Sequence, residues 1–140
     1  MDIHEIQIDD YVMFDGSVYQ IEEISKKGWV HLTHDGNRLS LTSDYILDYL
    51  KGVPLTQEIL EKNGFVHKHI DEPMKRQYWI LRYAGGQVKV KFNWNRFYFE
   101  ITGVPKFVGY YCPKFSSHLD YVHQLQHALR ICGIEKEILI

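Results

Sequence analysis

Lysine and arginine neutralise phosphates and aromatic rings stack on bases, and residues 62–114 are rich in both. Ten Lys and Arg stand there against three Asp and Glu, in company with twelve of the chain's twenty aromatic residues. Alternation over 87–92 and 96–102 sends Val88, Val90 and Phe92 to one side, as it does Phe97, Phe99 and Ile101. Lys89, Lys91, Arg96, Tyr98 and Glu100 then face the other side, where Tyr78 and Arg82 of 77–83 join them if the segments pair. The chemistry on offer is nucleic-acid binding by a basic, aromatic sheet face. The same alternation solvates an ordinary sheet whose rings are core, and an acidic N-terminal part could cover the basic face.

A second constellation is Asp120, His123 and His127, which fall within about 60° of one another at roughly 100° per helical residue. Two histidines at i and i+4 with a carboxylate are a usable divalent-metal set, and His118 is nearby. The arc lies opposite an apolar stripe, so a solvated polar face explains it equally, and the histidine pair lacks the glutamate of a zinc protease. No metal or other cofactor is assigned. Cys112 with His118, His123 or His127 could form a thiolate and its base, but small buried hydrophobes are the simpler role for Cys112 and Cys132. No nucleophile elbow, phosphate loop or dinucleotide fingerprint is present, so the chain reads as non-enzymatic. Tyr78-Trp79, Trp94 and Tyr110-Tyr111 offer instead a protein-binding surface, with Trp94, between two asparagines at a hairpin tip, as the interface candidate.

The elements that must position these groups follow from pattern. Residues 1–53 read as short strands separated by Asp15-Gly16, Lys27-Gly28 and Asp35-Gly36-Asn37, with Leu39 and Leu41 on one face. Four or five strands in so short a stretch predict a small β-barrel, a roll of the Src-homology-three kind, that hides its edges. Lys51-Gly52-Val53-Pro54 then interrupts regular structure and marks a module boundary. Thr56 caps a helix, Glu58 sits at its positive end, Leu55 staples to Leu60, and Gly64 with Phe65 supplies a Schellman ending. Strands follow at 65–70, 77–83, 87–92 and 96–102, turning at Ala84-Gly85-Gly86 and Asn93-Trp94-Asn95. A helix over about 118–132, with Leu119, Val122, Leu125, Leu129 and Cys132 as its apolar stripe, covers the sheet until Gly133. Residues 135–140 read as a short terminal strand. The fold class is α+β: a 1–53 barrel module and a 54–140 module of helix, antiparallel meander, helix and short strand.

The chain has 140 residues, 45% of them hydrophobic, and a net charge of −2, so disorder and a globally polyanion- or polycation-seeking composition are both excluded. The balance hides a split, because residues 1–53 carry four basic against ten acidic residues and 54–140 carry twelve against eight. An acidic start without an apolar stretch, and a longest apolar run of only six residues at 107–112, predict a cytoplasmic protein with no membrane partner.

Three stretches carry a resemblance: I-D-D-Y-V-M-F-D-G at 8–16, P-L-T-Q-E-I-L-E-K-N-G-F at 54–65 and Y-V-H-Q-L-Q at 121–126. The chain resembles, over nearly its whole length, a family of small proteins borne by prophages and mobile elements of anaerobic gut bacteria. It departs from that family at His127-Ala128-Leu129, where an Asn and an aromatic residue are usual. The resemblance implies an accessory protein more than a metabolic enzyme and transfers no functional residues. The sequence therefore favours a non-enzymatic module that binds a protein partner or itself, with nucleic-acid binding by the basic sheet as the alternative.

Overall fold

The computed structural model describes residues 1–69, 77–83, 86–93, 95–102 and 117–140, in two compact units. Met1–Pro54 with Tyr121–His123 forms the first, and Leu55–Asp120 with Gln124–Ile140 the second. The expectation of a mixed α+β chain with two antiparallel sheets and few helices holds. No helix among the described residues is long and apolar enough to cross a membrane.

The first unit begins with a single 3-10 turn, Ile3–Glu5, and continues through β1 (Tyr11–Phe14), β2 (Ser17–Ile24), β3 (Val30–His34), β4 (Asn37–Leu41), α1 (Ser43–Tyr49) and β5 (Lys51–Gly52). Asp15-Gly16 and Asp35-Gly36 take positive φ at both positions, 45° and 77°, then 47° and 78°, as two-residue hairpins require for strands that twist together. The sheet runs β4-β3-β2-β1-β5. Its alternating positions Val12, Ile21, Val30, Leu32 and Leu41 are buried with Ile46 of α1, with Leu50 just after that helix and with Ile6. β4 and β5 are the edges of this order, and no closed barrel is found among the described residues. Asp10 is fully buried where the chain enters β1, its carboxylate accepting from the Gln7 amide at 2.7 Å.

The second unit opens with α2 (Gln57–Lys62), whose cap and stop follow the sequence closely. The Ile59 amide donates to the Thr56 hydroxyl at 3.3 Å; at the other end Phe65 N donates to Leu60 O and Gly64 N to Glu61 O, both at 3.1 Å, with Gly64 at φ 83°. Those two bonds are the Schellman pair. Then come β6 (Val66–His69), β7 (Gln77–Tyr83), β8 (Gly86–Asn93), β9 (Arg96–Thr102), β10 (Ser117–Leu119) and α3 (Val122–Ile131), the last reaching back into the first unit by its opening residues. The sheet order β10-β9-β8-β7-β6 is an antiparallel meander. One side of it buries Trp79, Leu81, Val88, Val90 and Phe99, and Leu125 and Leu129 of α3 are buried as well.

Two local expectations change. The segment at 117–119 is the edge strand β10, paired Ser117 with Phe99, His118 with Tyr98 and Leu119 with Phe97, so the last helix starts four residues later than its apolar spacing suggests. Gln124 fixes that start by reaching back to accept from the Asp120 amide at 2.7 Å. The C-terminal residues 135–140 join no sheet. They are held by the buried Asn63, which donates to Leu139 O and accepts from Leu139 N, each at 2.8 Å, while also donating to Ile59 O at 2.7 Å.

Candidate functional site

The register of the second sheet decides which side chains share its outer face. Lys68 pairs with Tyr78, Tyr78 with Lys91, Lys91 with Tyr98, and Tyr98 with His118. Directly paired residues in an antiparallel ladder point the same way. One row therefore crosses all five strands as lysine, tyrosine, lysine, tyrosine, histidine. At roughly 4.8 Å per strand it is about 20 Å long, with the two tyrosines about 10 Å apart and Lys91 between them. A neighbouring row holds Val66, Ile80, Lys89 and Glu100, and beyond it lie Arg82 and Gln87. Arg96 stands opposite Asn93 at the other end of the same face.

All six residues singled out for nucleic acid, Tyr78, Arg82, Lys89, Lys91, Arg96 and Tyr98, lie on this side, and none is buried. Lys68 and His118 were missed. The segment 65–70 carries no register in the sequence, and the apolar spacing of 118–132 puts His118 on a helix; the V-H-K-H alternation beside a strand of alternating core positions is the available signal.

The electrostatics of the face are mixed. Asp120 takes the Arg96 guanidinium in a two-pronged grip, Nε to Oδ1 at 3.0 Å and an Nη to Oδ2 at 2.5 Å. That hydrogen bonding holds the Asp120 carboxyl below its ordinary range against the opposing effect of burial, with the charges of Arg96 and His118 adding to the depression. Lys91 pairs with Glu100. Among the described residues Lys68, Lys89 and Arg82 form no ion pair. The Lys89 ammonium lies 4.9 Å from the Tyr78 ring centroid, and Tyr98 meets His118 edge-on at 4.7 Å. Both acidic pairs are more than one-third exposed, where solvent weakens an ion pair and a phosphate can compete for the cation.

The metal arc is not assembled. Asp120 precedes α3 and is engaged by Arg96, while His123 is only 4% exposed and stacks on Tyr121 with centroids 5.6 Å apart. The supposed solvated face is absent because α3 is covered on most sides, Gln126 included. No group of three or more metal-competent side chains occurs among the described residues. Trp79 leaves the surface cluster too: it is buried, stacked on His67 at 4.8 Å, and its indole donates to Glu61 at 3.3 Å. Cys132 is buried. Trp94, Tyr110, Tyr111 and Cys112 lie outside the described residues. Comparison with protein-family models, with curated proteins and with solved structures finds no match.

Proposed function

We propose that the protein is a non-enzymatic binding module that takes single-stranded nucleic acid on the outer face of its second sheet. The observation that carries this reading is the row Lys68, Tyr78, Lys91, Tyr98, His118, one residue per strand, with lysine and tyrosine in alternation before the histidine. Two bases stacked on Tyr78 and Tyr98 leave the phosphate between them above Lys91, and each stack contributes about 1–3 kcal/mol. A flat sheet admits splayed bases, whereas a duplex offers it only backbone. What favours this reading over protein-partner binding is that Tyr78, Lys89, Lys91, Arg96 and Tyr98 share one sheet face.

The connectivity of the first sheet, a four-strand meander followed by a helix and a short strand added beside β1, supports reading that unit as an Src-homology-three-like roll. The motifs at 8–16, 54–65 and 121–126 support an accessory role on a mobile element.

The test is fluorescence anisotropy of labelled single-stranded and duplex oligonucleotides over a salt series. Single strands should bind more tightly, with log affinity falling by about 0.7 per phosphate contact for each decade of salt. The triple change Lys89→Glu, Lys91→Glu, Arg96→Glu should abolish binding. Absence of binding at low salt, or binding that the triple change leaves intact, overturns the reading.

A further inference from the structure

The first unit carries a surface complementary to that sheet. On α1, Tyr45 and Tyr49 are 55% and 57% exposed, one helical turn apart, with ring centroids separated by 5.5 Å. Asp44 and Asp48, both exposed, sit beside them at the same spacing. The 3-10 turn packs beside α1 and adds the exposed Asp2 and Glu5. Residues 1–53 carry six more negative than positive charges. Two large exposed rings on a short helix need a reason, and their acidic frame selects the partner: a surface with half-buried rings of its own and with cations that form no ion pair among the described residues. The outer sheet face has both, in Lys68, Lys89 and Arg82 with Tyr78 and Tyr98.

We infer that α1 of one copy docks on the outer face of the second sheet of another copy. Asp44 and Asp48 meet lysines there as phosphates do, while Tyr45 and Tyr49 lie against the sheet's tyrosines and the aliphatic stems of its lysines. The contact is head-to-tail: each copy offers one acidic and one basic surface, so assemblies lengthen with concentration unless the rotation closes a ring. Because α1 and a single strand use the same residues, nucleic acid disperses the assembly. This inference rests on the nucleic-acid reading for that competition and on charge complementarity for the contact itself.

Sedimentation velocity of the full chain, over a concentration series at low and at high salt, tests it. Larger species should form at low salt and disappear at high salt, and an added oligothymidylate should dissolve them. The variants Asp44→Lys/Asp48→Lys and Lys68→Glu/Lys89→Glu should each remain monomeric alone and associate when mixed, since each restores the other's missing charge. Tyr45→Ala/Tyr49→Ala, two exposed positions that leave the core intact, should weaken association at least tenfold without weakening oligonucleotide binding. A wild-type protein that stays monomeric at every concentration in low salt, or reversed-charge variants that fail to associate on mixing while the wild type does associate, overturns the inference. Oligonucleotide binding by a strictly monomeric wild type removes this inference and leaves the nucleic-acid reading standing. Association without any oligonucleotide binding removes the reading and leaves the contact.

Discussion

Arg96 and Asp120 show how a single pair sets the charge a ligand meets. The two-pronged bond withdraws a guanidinium from the basic face, so Asp120→Asn should return it: oligonucleotide affinity rises and the salt slope steepens by about one contact. A change that weakened binding would mean that Arg96 must be held in place to act. The same pair has a pH signature. Asp120's folded value is depressed by Arg96, so its stabilising effect is present above the unfolded carboxylate range and is lost as pH falls through the depressed value. Acid unfolding followed by circular dichroism should therefore show a loss below about pH 4 in the wild type that is smaller in the Asp120→Asn variant. Tyr98 separates stacking from hydrogen bonding. Tyr98→Phe keeps the ring and should bind almost normally, while Tyr98→Ala should lose about 5- to 150-fold, matching the 1–3 kcal/mol of a stacked base.

Elements whose ends are fixed by local chemistry were legible in the sequence; those fixed by a partner were not. Thr56, Gly64 and Phe65 define α2 through bonds no more than five residues long, and Gly133 ends α3 the same way, with Ile134 N donating to Leu129 O at 2.9 Å. The alternation of 87–92 and 96–102 likewise gave the correct faces, since a two-residue period survives any register. β10 was hidden because its apolar Leu119 falls in step with Val122, and only pairing to β9 reveals a strand. The C-terminal segment is tied to Asn63, 76 residues away, and to Lys62, links that no spacing announces. Asn63→Ala should cost about 1–3 kcal/mol in urea unfolding, because it strips partners from Ile59, from both backbone groups of Leu139, and from the end of α2. Gly52 is a second such position: a Cβ there would press on the root and ring of Tyr121, so Gly52→Ala should destabilise by about 1–3 kcal/mol although its backbone conformation suits any residue. An unchanged midpoint for either variant would show that the surrounding chain relaxes freely.

A net charge of −2 conceals a molecule with opposed ends of sequence, acidic through residue 53 and basic over 62–114. Such a chain has little long-range pull on a polyanion, so any binding must come from a local arrangement, and the register of five strands supplies one. Composition points to the basic and aromatic residue types of the row, but not to the row itself, because Lys68 and His118 enter it only through pairing with Tyr78 and Tyr98. The most direct test is to record amide spectra of the isotope-labelled protein while a short oligothymidylate is added at low salt. Binding on the row should move Lys68, Tyr78, Lys91, Tyr98 and His118 together with their neighbours on the outer face, leaving the first sheet's core at Val12, Ile21 and Leu32 unmoved. Shifts centred on the first unit, or no shifts at all, would contradict a nucleic-acid site on the second sheet.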